Sequence, residues 1–298
     1  MPALVGPQVP FRWDLITPDH LGTLLDGVDR PDLWFAGDLL ECAGKVLARS
    51  GDGDLFFVGR SLDSMFDVLG GALAGTSWSS RLHRLPVSFA IPGRLVHGRW
   101  HPDRISHAQH EQAKRNLGAL GLSPRALARR DRPVTFVDVV HSGSTFTKLF
   151  SLLRDWVEIE REPWSVIRRK VRFVGVTSRT KTSPHTHRWQ QHAAWTRELP
   201  ARSVLNVSLD RFVWSYLGDR QIKLTRTFRP QAWLADADGP GHGERTRQAL
   251  AEAVALVEHG RTAGVRKALA LAMSTDPSIA QAWLRTLIGQ LNAGTSRG

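Results

Sequence analysis

The sequence predicts an α/β protein, a doubly wound parallel sheet of about five strands flanked by helices and followed by a helical C-terminal subdomain. Three observations lead to this prediction. Short runs of β-branched and aromatic residues alternate with segments of helical periodicity through roughly the first 210 residues. The runs are apolar at consecutive positions, as in strands buried on both faces. From residue 243 onward only helical periodicity remains.

Size and composition exclude several classes of protein. The 298 residues suffice for a substantial core, and 42% hydrophobic with 23% charged residues is ordinary for a globular chain. No apolar run approaches the roughly 20 residues of a membrane span, and residues 1–7 do not resemble a signal peptide. The single cysteine, Cys42, excludes an internal disulfide framework and a cysteine-built zinc site. We therefore expect a cytoplasmic protein with no membrane contact.

The charge balance is strongly basic. The formal net charge is +12 at pH 7 and the sequence pI is about 11.0. Such a balance favours anionic partners, among them polyphosphates, nucleic acid and acidic protein surfaces. The alternative interpretation is compositional, because arginine, alanine and glycine are all abundant, as they are in proteins of GC-rich genomes. Both interpretations stay open at the level of the sequence.

The first part of the chain predicts an arm and then a strand–loop–helix unit. Residues 1–30 are punctuated by prolines and hold one short helical stripe after Pro18. A longer helix follows to about residue 49, with Pro31 well suited to its first turn. Residues 54–59 then read as a short buried strand, and 60–64 lead into another helix. We assign 1–30 to the arm.

The remaining elements complete the predicted sheet. Further strands are expected at 84–91, 170–177 and 203–209, because each is a short apolar run rich in β-branched residues. We assign residues 31–235 to the α/β domain. Residues 243–298 form the helical subdomain, after a linker rich in Asp, Gly and Pro.

Residues 133–146 are the segment around which we organise the chain. A run of β-branched and aromatic residues from Val134 to Val140 predicts a buried strand, and helical spacing resumes at Phe146. Between them lies a loop of small hydroxyl residues around Gly143. The backbone N–H groups at such a helix N-terminus are unpaired and favour an anion, so the segment predicts a phosphate site. The alternative is an ordinary strand–loop–helix unit whose Ser and Thr cap the helix.

This segment resembles the PRPP-binding motif of type I phosphoribosyltransferases. In that motif, hydrophobic residues lead into two acids, two aliphatics, an acid and Thr-Gly-x-Thr. Aligned on Ser142, Gly143, Ser144 and Thr145, the chain keeps the second acid as Asp138. Val137 and His141 stand where the first and third acids are usual. The resemblance implies that Ser142–Thr145 hold the ribose 5-phosphate and that Asp138 contacts a ribose hydroxyl.

The same resemblance assigns a pyrophosphate site to an earlier loop. Gly59, Arg60 and Ser61 follow the predicted strand 54–59, where the family binds pyrophosphate through backbone amides with a glycine and a basic residue. The family also places a mobile catalytic loop with basic residues between the strands at 84–91 and 134–140. Its candidates here are Arg94, Arg99, Arg104, Lys114 and Arg115. The alternative for residues 59–61 is a simple capped turn.

A fainter likeness concerns the acceptor. In purine phosphoribosyltransferases a Phe-Val is followed by an aromatic and then an Asp, and Phe212, Tyr216 and Asp219 match that spacing. The alternative is an amphipathic turn that packs Phe212 and Tyr216. The acceptor pocket of the family comes from a variable hood, for which the arm, residues 179–200 and the helical tail are all candidates.

The resemblance implies displacement of pyrophosphate from PRPP at ribose C1, with Mg²⁺ bridging the diphosphate and the ribose hydroxyls. Arg60 would stabilise the departing charge, and Mg²⁺ would be bound mainly through PRPP and through Asp138. His141 is a candidate base, because a neutral imidazole accepts a proton near pH 7. We therefore expect an acceptor other than a nucleobase, with a hydroxyl or amine, such as an amino-sugar or another secondary metabolite. The alternative for His141 is a loop residue bonded to backbone.

A second hypothesis belongs to a different class. A protein of the same fold that senses PRPP or a nucleotide and binds nucleic acid, without catalysis, would agree with the missing acids and the basic charge. The basic residues are dispersed along the sequence and no nucleic-acid-binding motif is present, so this hypothesis ranks below the enzyme. A His-x-His pair at 185 and 187, with His192, invites a zinc interpretation, which the lack of a nearby Cys and of any carboxylate before Glu198 disfavours. We also expect a homo-oligomer.

Overall fold

The computed structural model describes residues 9–89, 93–96, 99–102, 104–179, 189–235 and 239–293. The strands are β1 (Asp54–Val58), β2 (Leu82–Leu85), β3 (Gly93–Val96), β4 (Arg99–Pro102), β5 (Val134–Val139), β6 (Val171–Ser178) and β7 (Val204–Leu209). The helices are α1 (Ala36–Arg49), α2 (Asp63–Leu73), α3 (His107–Ala119), α4 (Pro124–Arg129), α5 (Ser144–Ile159), α6 (Trp164–Ile167), α7 (Arg211–Ser215), α8 (Glu244–Arg261), α9 (Ala263–Ser274) and α10 (Ala282–Ala293).

Five of the strands form one sheet in the order β2–β1–β5–β6–β7, and every pair in it is parallel. Leu55 of β1 lies opposite Leu82 on one side and Thr135 on the other. The chain therefore passes from β2 back across β1 to reach β5, so the direction of strand addition reverses between β1 and β5. Ligands of open parallel sheets bind at the carboxyl ends of the strands at such a reversal.

The strands are apolar on both faces because helices cover both. Phe56 and Phe136 pack with α3, α4 and α5 on one face, where Trp189 also lies. Phe57 and Val137 pack with α1, α2, α9 and α10 on the other. Consecutive apolar residues in the strands follow from this arrangement, since neighbouring side chains point to opposite faces. The predicted doubly wound α/β fold with a helical C-terminal part is confirmed.

The strand predicted at 84–91 differs from the observed one. β2 begins two residues earlier and ends at Leu85. Pro86 follows directly, and a proline has no N–H for the ladder, so regular pairing stops there. The chain nevertheless continues alongside the sheet, since Val87 forms an isolated parallel bridge with Phe228. That bridge draws the segment around Phe228 towards the carboxyl end of β1.

The C-terminal helices pack closely on the sheet's own helices. A Cβ at Gly71 of α2 would lie 2.0 Å from the Val257 carbonyl oxygen of α8, and one at Gly260 would lie 2.2 Å from that of Val68. The two backbones therefore touch, which glycine permits because it has no side chain. α9 packs against α1, and its Leu269 belongs to the same apolar cluster as the strands.

The N-terminal arm packs on the outer side of α8. Trp13, Leu15 and Leu21 are buried against Leu250 and Val254. The predicted short helix is one 3₁₀ turn, Pro18–Leu21. Among the described residues, none of the helices combines the length and apolarity needed to cross a membrane.

Candidate functional site

A cleft of about 260 Å³ opens at the carboxyl end of the sheet, where the direction of strand addition reverses between β1 and β5. We call it the switch-point cleft. Its walls come from the loops after β1, β2 and β5 and from the segment after α7. The lining residues are Gly59, Arg60, Ser61, Val87, Ser88, Asp138, Thr145, Gly218, Asp219, Gln221, Lys223, Thr227 and Arg229.

The loop after β1 supplies the first cation of the cleft. Gly59 has a φ of 72°, a conformation that favours glycine, and its N–H donates to the Leu85 carbonyl at 2.8 Å. This turn directs Arg60 towards the segment after α7, where its Nη1 donates to the Thr225 carbonyl at 2.6 Å. Burial lowers the pKa of Arg60, although the neighbouring Asp63 opposes this. The guanidinium is therefore fixed at one edge and open towards the cleft.

The loop after β5 leads into α5 through Gly143. This residue has φ 77° and ψ 11°, and a Cβ there would lie 2.2 Å from the Trp189 ring. The left-handed conformation and the ring contact both require glycine. The N-cap residue of α5 is Gly143, which has no side chain to cap the helix. The first N–H groups of α5 are therefore available to an acceptor from outside the helix, beside Thr145, which lines the cleft.

Asp138 is the acidic residue at the floor of the cleft. It is the second-last residue of β5, and only 6% of its surface is exposed. Burial raises the pKa of its carboxyl to about 8, although the N–H of Val139 and the charge of Lys223 both oppose this. Asp138 forms no ion pair with any described residue. A buried acid with no cationic partner at a cleft floor is typical of a functional carboxyl.

Lys223 is the second cation and was not predicted from the sequence. Its Nζ donates to the Ser61 carbonyl at 3.2 Å and to Gln221 Oε1 at 2.5 Å. Burial lowers the pKa of Lys223 to about 8, and the positive charge of Arg60 adds to this effect. Arg229 also lines the cleft and lowers the pKa of Arg60. Three cations therefore converge on one cleft, and an anion placed between them would relieve their repulsion.

A buried ion network lies behind the loop after β1. Asp63, at the start of α2, accepts from Arg12 at 3.1 Å and from Arg84 at 3.1 and 3.2 Å. Arg12 also binds Asp67, one turn further along α2. The network reaches the cleft through Thr225, whose hydroxyl contacts both Asp63 and Arg84. The arm therefore helps to position the cleft from behind.

The network perturbs both of its acids in opposite directions. Arg84 and Arg12 lower the pKa of Asp63 despite its burial. Burial dominates at Asp67 and raises its pKa to about 6, although Arg12 opposes this. Asp67 is therefore the weaker acid of the pair, with Arg12 as its cationic partner.

Six of the predicted site residues line the switch-point cleft: Gly59, Arg60, Ser61, Asp138, Thr145 and Asp219. The loops after β1 and β5 and the segment after α7 are thus brought together as neighbours.

Other predicted residues lie elsewhere. Ser142 and Gly143 lie in the loop after β5 and Ser144 is the first residue of α5, but none of the three lines the cleft, and the side chains of Ser142 and Ser144 are exposed. His141 is also exposed, with its ring 6.4 Å from that of Trp214. These roles stay predictions.

The two aromatic candidates for acceptor binding do not line the cleft. Phe212 is 65% exposed on α7. Tyr216 packs against Trp34 and Phe35, and its hydroxyl donates to Glu252 Oε2 at 2.7 Å. Within this segment, the cleft takes Gly218 and Asp219 instead.

The predicted mobile loop contains an antiparallel pair of strands. Arg94 is a residue of β3, opposite His101, and Arg99 is a residue of β4, opposite Val96. Their contacts with pyrophosphate stay predictions. Lys114 and Arg115 lie on α3, where they bind Glu111 and Gln112. His185 and His187 lie outside the described residues.

The side chains of the cleft include oxygen donors of the kind that a magnesium ion takes. Among the described residues, no three His, Cys, Asp or Glu side chains come together as a metal cluster. Asp138 and Asp219 nevertheless give the cleft two carboxyl groups. Mg²⁺ in nucleotide and sugar-phosphate sites often takes one or two carboxylates and completes its shell with phosphates and water. The residues present therefore fit an ion that arrives with a phosphorylated substrate.

Comparison of the chain with protein-family models, with curated proteins and with solved structures finds no match.

Proposed function

We propose that the chain is a phosphoribosyltransferase that moves the 5-phosphoribosyl group of PRPP to a small acceptor and releases pyrophosphate. The observation that carries the proposal is the shared cleft of two loops that are 78 positions apart, at Arg60 and Asp138. Each loop follows a strand of the sheet, and the two strands flank its topological reversal.

The two phosphate-bearing ends of PRPP have separate partners in this proposal. The uncapped N-terminus of α5, with Thr145 beside it, suits the 5-phosphate, because N–H groups and the helix dipole both favour an anion. Arg60, Lys223 and Arg229 suit the diphosphate, which gains negative charge as it leaves.

The reaction breaks the bond between ribose C1 and the diphosphate oxygen, whose electron pair leaves with pyrophosphate. A new bond forms between C1 and the acceptor oxygen or nitrogen, whose proton passes to water. Asp138 binds a ribose hydroxyl, and its pKa of about 8 lets it exchange a proton near neutral pH. Asp219, which also lines the cleft, is the candidate contact for the acceptor.

Magnesium, when bound with PRPP, would neutralise the diphosphate charge and would be held by Asp138 and Asp219. The remaining work belongs to the chain. Arg60 and Lys223 are held by the carbonyls of Thr225 and Ser61, so the two cations are positioned before the substrate arrives. Such preorganisation lowers the cost of reorganising the site during reaction.

The test measures binding and transfer separately. Calorimetric titration with PRPP and Mg²⁺ measures binding, and a coupled assay measures pyrophosphate release with a panel of hydroxyl and amine acceptors. We expect saturable binding and acceptor-dependent release, both weakened in Arg60→Gln. Arg245→Gln, an exposed arginine on α8, is the matched control and should behave as wild type.

The outcomes separate the two classes of function. PRPP binding without pyrophosphate release for any acceptor would contradict transfer and favour the non-catalytic sensor. No binding of PRPP in the presence of Mg²⁺ would overturn both.

A further inference from the structure

The end of the sheet opposite the cleft carries a group of arginines, which we call the amino-edge arginines. They come from the segments that precede β5, β6 and β7, and one of them is the second residue of β6. The members are Arg129, Arg132, Arg168, Arg169, Arg172 and Arg202. These segments are far apart in the sequence, so the arginines are scattered along the chain and are brought together only by the folded sheet.

Three of them hold equivalent places. Arg132, Arg169 and Arg202 each lie two residues before the first residue of β5, β6 and β7 respectively, and all three are exposed. These strands are neighbours in the sheet. Neighbouring strands are about 4.8 Å apart, so the three backbones lie within roughly 10 Å of one another.

The segments are joined firmly at this end. The Lys170 ammonium donates to the carbonyls of Ala128 at 2.9 Å and Arg130 at 2.5 Å. The N–H of Val134 donates to the Lys170 carbonyl at 2.7 Å. These hydrogen bonds hold the backbones of the segments before β5 and β6 together. They therefore fix the positions from which the arginine side chains project.

The amino-edge arginines are not neutralised by the protein. None of the six forms an ion pair with a described carboxylate, and Arg168 donates to the Glu198 backbone carbonyl at 3.3 Å. Three neighbouring arginines of this end are paired, Arg49 with Asp276, Arg81 with Asp52 and Arg130 with Asp54. The exposed members of the group lie at the β5–β7 half of the sheet, with Asp131 beside Arg132 in the sequence and with Glu160 and Glu162 between α5 and α6.

We propose that the amino-edge arginines bind the phosphate backbone of duplex nucleic acid. Guanidinium groups match phosphate oxygens in geometry and retain their charge at any physiological pH. Single strands would need exposed rings for stacking. The aromatic residue of these segments, Trp164, instead packs against Phe150 with the Arg154 guanidinium 5.2 Å from its ring centre. None of the residues of the switch-point cleft is used, so the proposal stands apart from phosphoribosyl transfer.

The test uses a fluorescent 20-base-pair DNA duplex of mixed sequence and follows anisotropy as salt is raised. A triple variant, Arg132→Gln with Arg169→Gln and Arg202→Gln, removes three charges from the surface. The matched control, Arg211→Gln with Arg245→Gln and Lys267→Gln, removes three exposed charges elsewhere. Circular dichroism confirms that both variants are folded.

We expect the slope of log K against log salt to fall by about 0.9 for each arginine lost in the triple variant, and to stay at the wild-type value in the control. Equal losses in the two variants would overturn the proposal, because net charge alone would then explain binding. Tighter binding to a single strand of the same sequence would overturn it as well. So would binding to anionic phospholipid vesicles without binding to the duplex.

Discussion

At the carboxyl end of the sheet, Asp138 and Lys223 lie in a cleft and are largely shielded from solvent. At the amino end, Arg132, Arg169 and Arg202 are exposed and form no ion pair with a described carboxylate. Arg60, Lys223 and Asp138 line a cleft and the latter two have strongly shifted pKa values. Arg132, Arg169 and Arg202 project from strand ends into solvent.

This difference separates two ways of using charge. Buried charges lose hydration, so they destabilise the folded protein unless a partner or ligand compensates them. Exposed arginines lose little, and act through the counterions that a polyanion releases. The carboxyl end is therefore suited to a small, defined ligand and the amino end to an extended one.

The largest effect should come from breaking the ion network behind the cleft. Arg12→Ala leaves Asp63 and Asp67 with one fewer cation in a site where both are buried. We expect a loss of about 3–5 kcal/mol in the free energy of unfolding, measured by urea denaturation. Arg30→Ala, in an exposed part of the arm, should change it by less than about 0.5 kcal/mol. A small loss in Arg12→Ala would show that the acids find other partners.

The next effect concerns catalysis at the same end. Arg60→Gln removes a positioned cation from the cleft, and we expect kcat/KM for pyrophosphate release to fall on the order of 10²-fold. The triple amino-edge variant should retain wild-type kcat/KM, since none of its positions lines the cleft. An equal loss of kcat/KM in the two variants would contradict the assignment of catalysis to the carboxyl end of the sheet alone.

A third effect is a gain in stability. Because the folded-state pKa of Asp138 is raised to about 8, against about 4 in an unfolded chain, the folded protein holds the extra proton between these values. Its stability therefore falls as pH rises through that window. Asp138→Asn removes this penalty.

We expect Asp138→Asn to raise stability by about 1–3 kcal/mol at pH 8 or above, and to have no effect near pH 4. Thermal denaturation measures the gain, at about 2–4 °C for each kcal/mol. Asp155→Asn, exposed on α5, should be neutral at both pH values. A gain that is equal at both pH values would show that ionisation of Asp138 is not its source.

The smallest effect is a change in pH profile. Asp138 ionises and Lys223 loses its charge at about the same pH, so kcat/KM should pass through a maximum near pH 8. Lys223→Arg keeps its charge and should remove the falling limb, with a few-fold gain above pH 9. A falling limb that persists in this variant would assign it to another group.

Much of the fold could be predicted from the sequence, because strands that are buried on both faces of a parallel sheet have apolar residues at consecutive positions. β5, β6 and β7 were each predicted to within a residue or so at their ends, and the loops after β1 and β5 were identified by their small residues. β2 was misplaced because Pro86 stops the ladder within an apolar run that otherwise reads as one strand.

The contribution of residues 221–229 to the cleft could not be predicted from hydrophobic periodicity. Lys223 and Arg229 belong to a segment without regular periodicity, and what brings it to the cleft is a bridge between Val87 and Phe228. Arg12 likewise lies in an arm whose sequence predicts little order, yet it is 8% exposed in its side chain. Long-range contacts of single residues leave no periodic trace.

The contact of α2 with α8 through Gly71 and Gly260 has a consequence for motion. Two helices whose backbones touch cannot slide or separate without opening a void, so they should exchange their amide hydrogens together as one cooperative unit. α2 begins with Asp63, directly behind the loop that carries Arg60. The side of the cleft formed by the loop before α2 is therefore rigid. Any closure around a ligand must come from movement of the segments on its other sides.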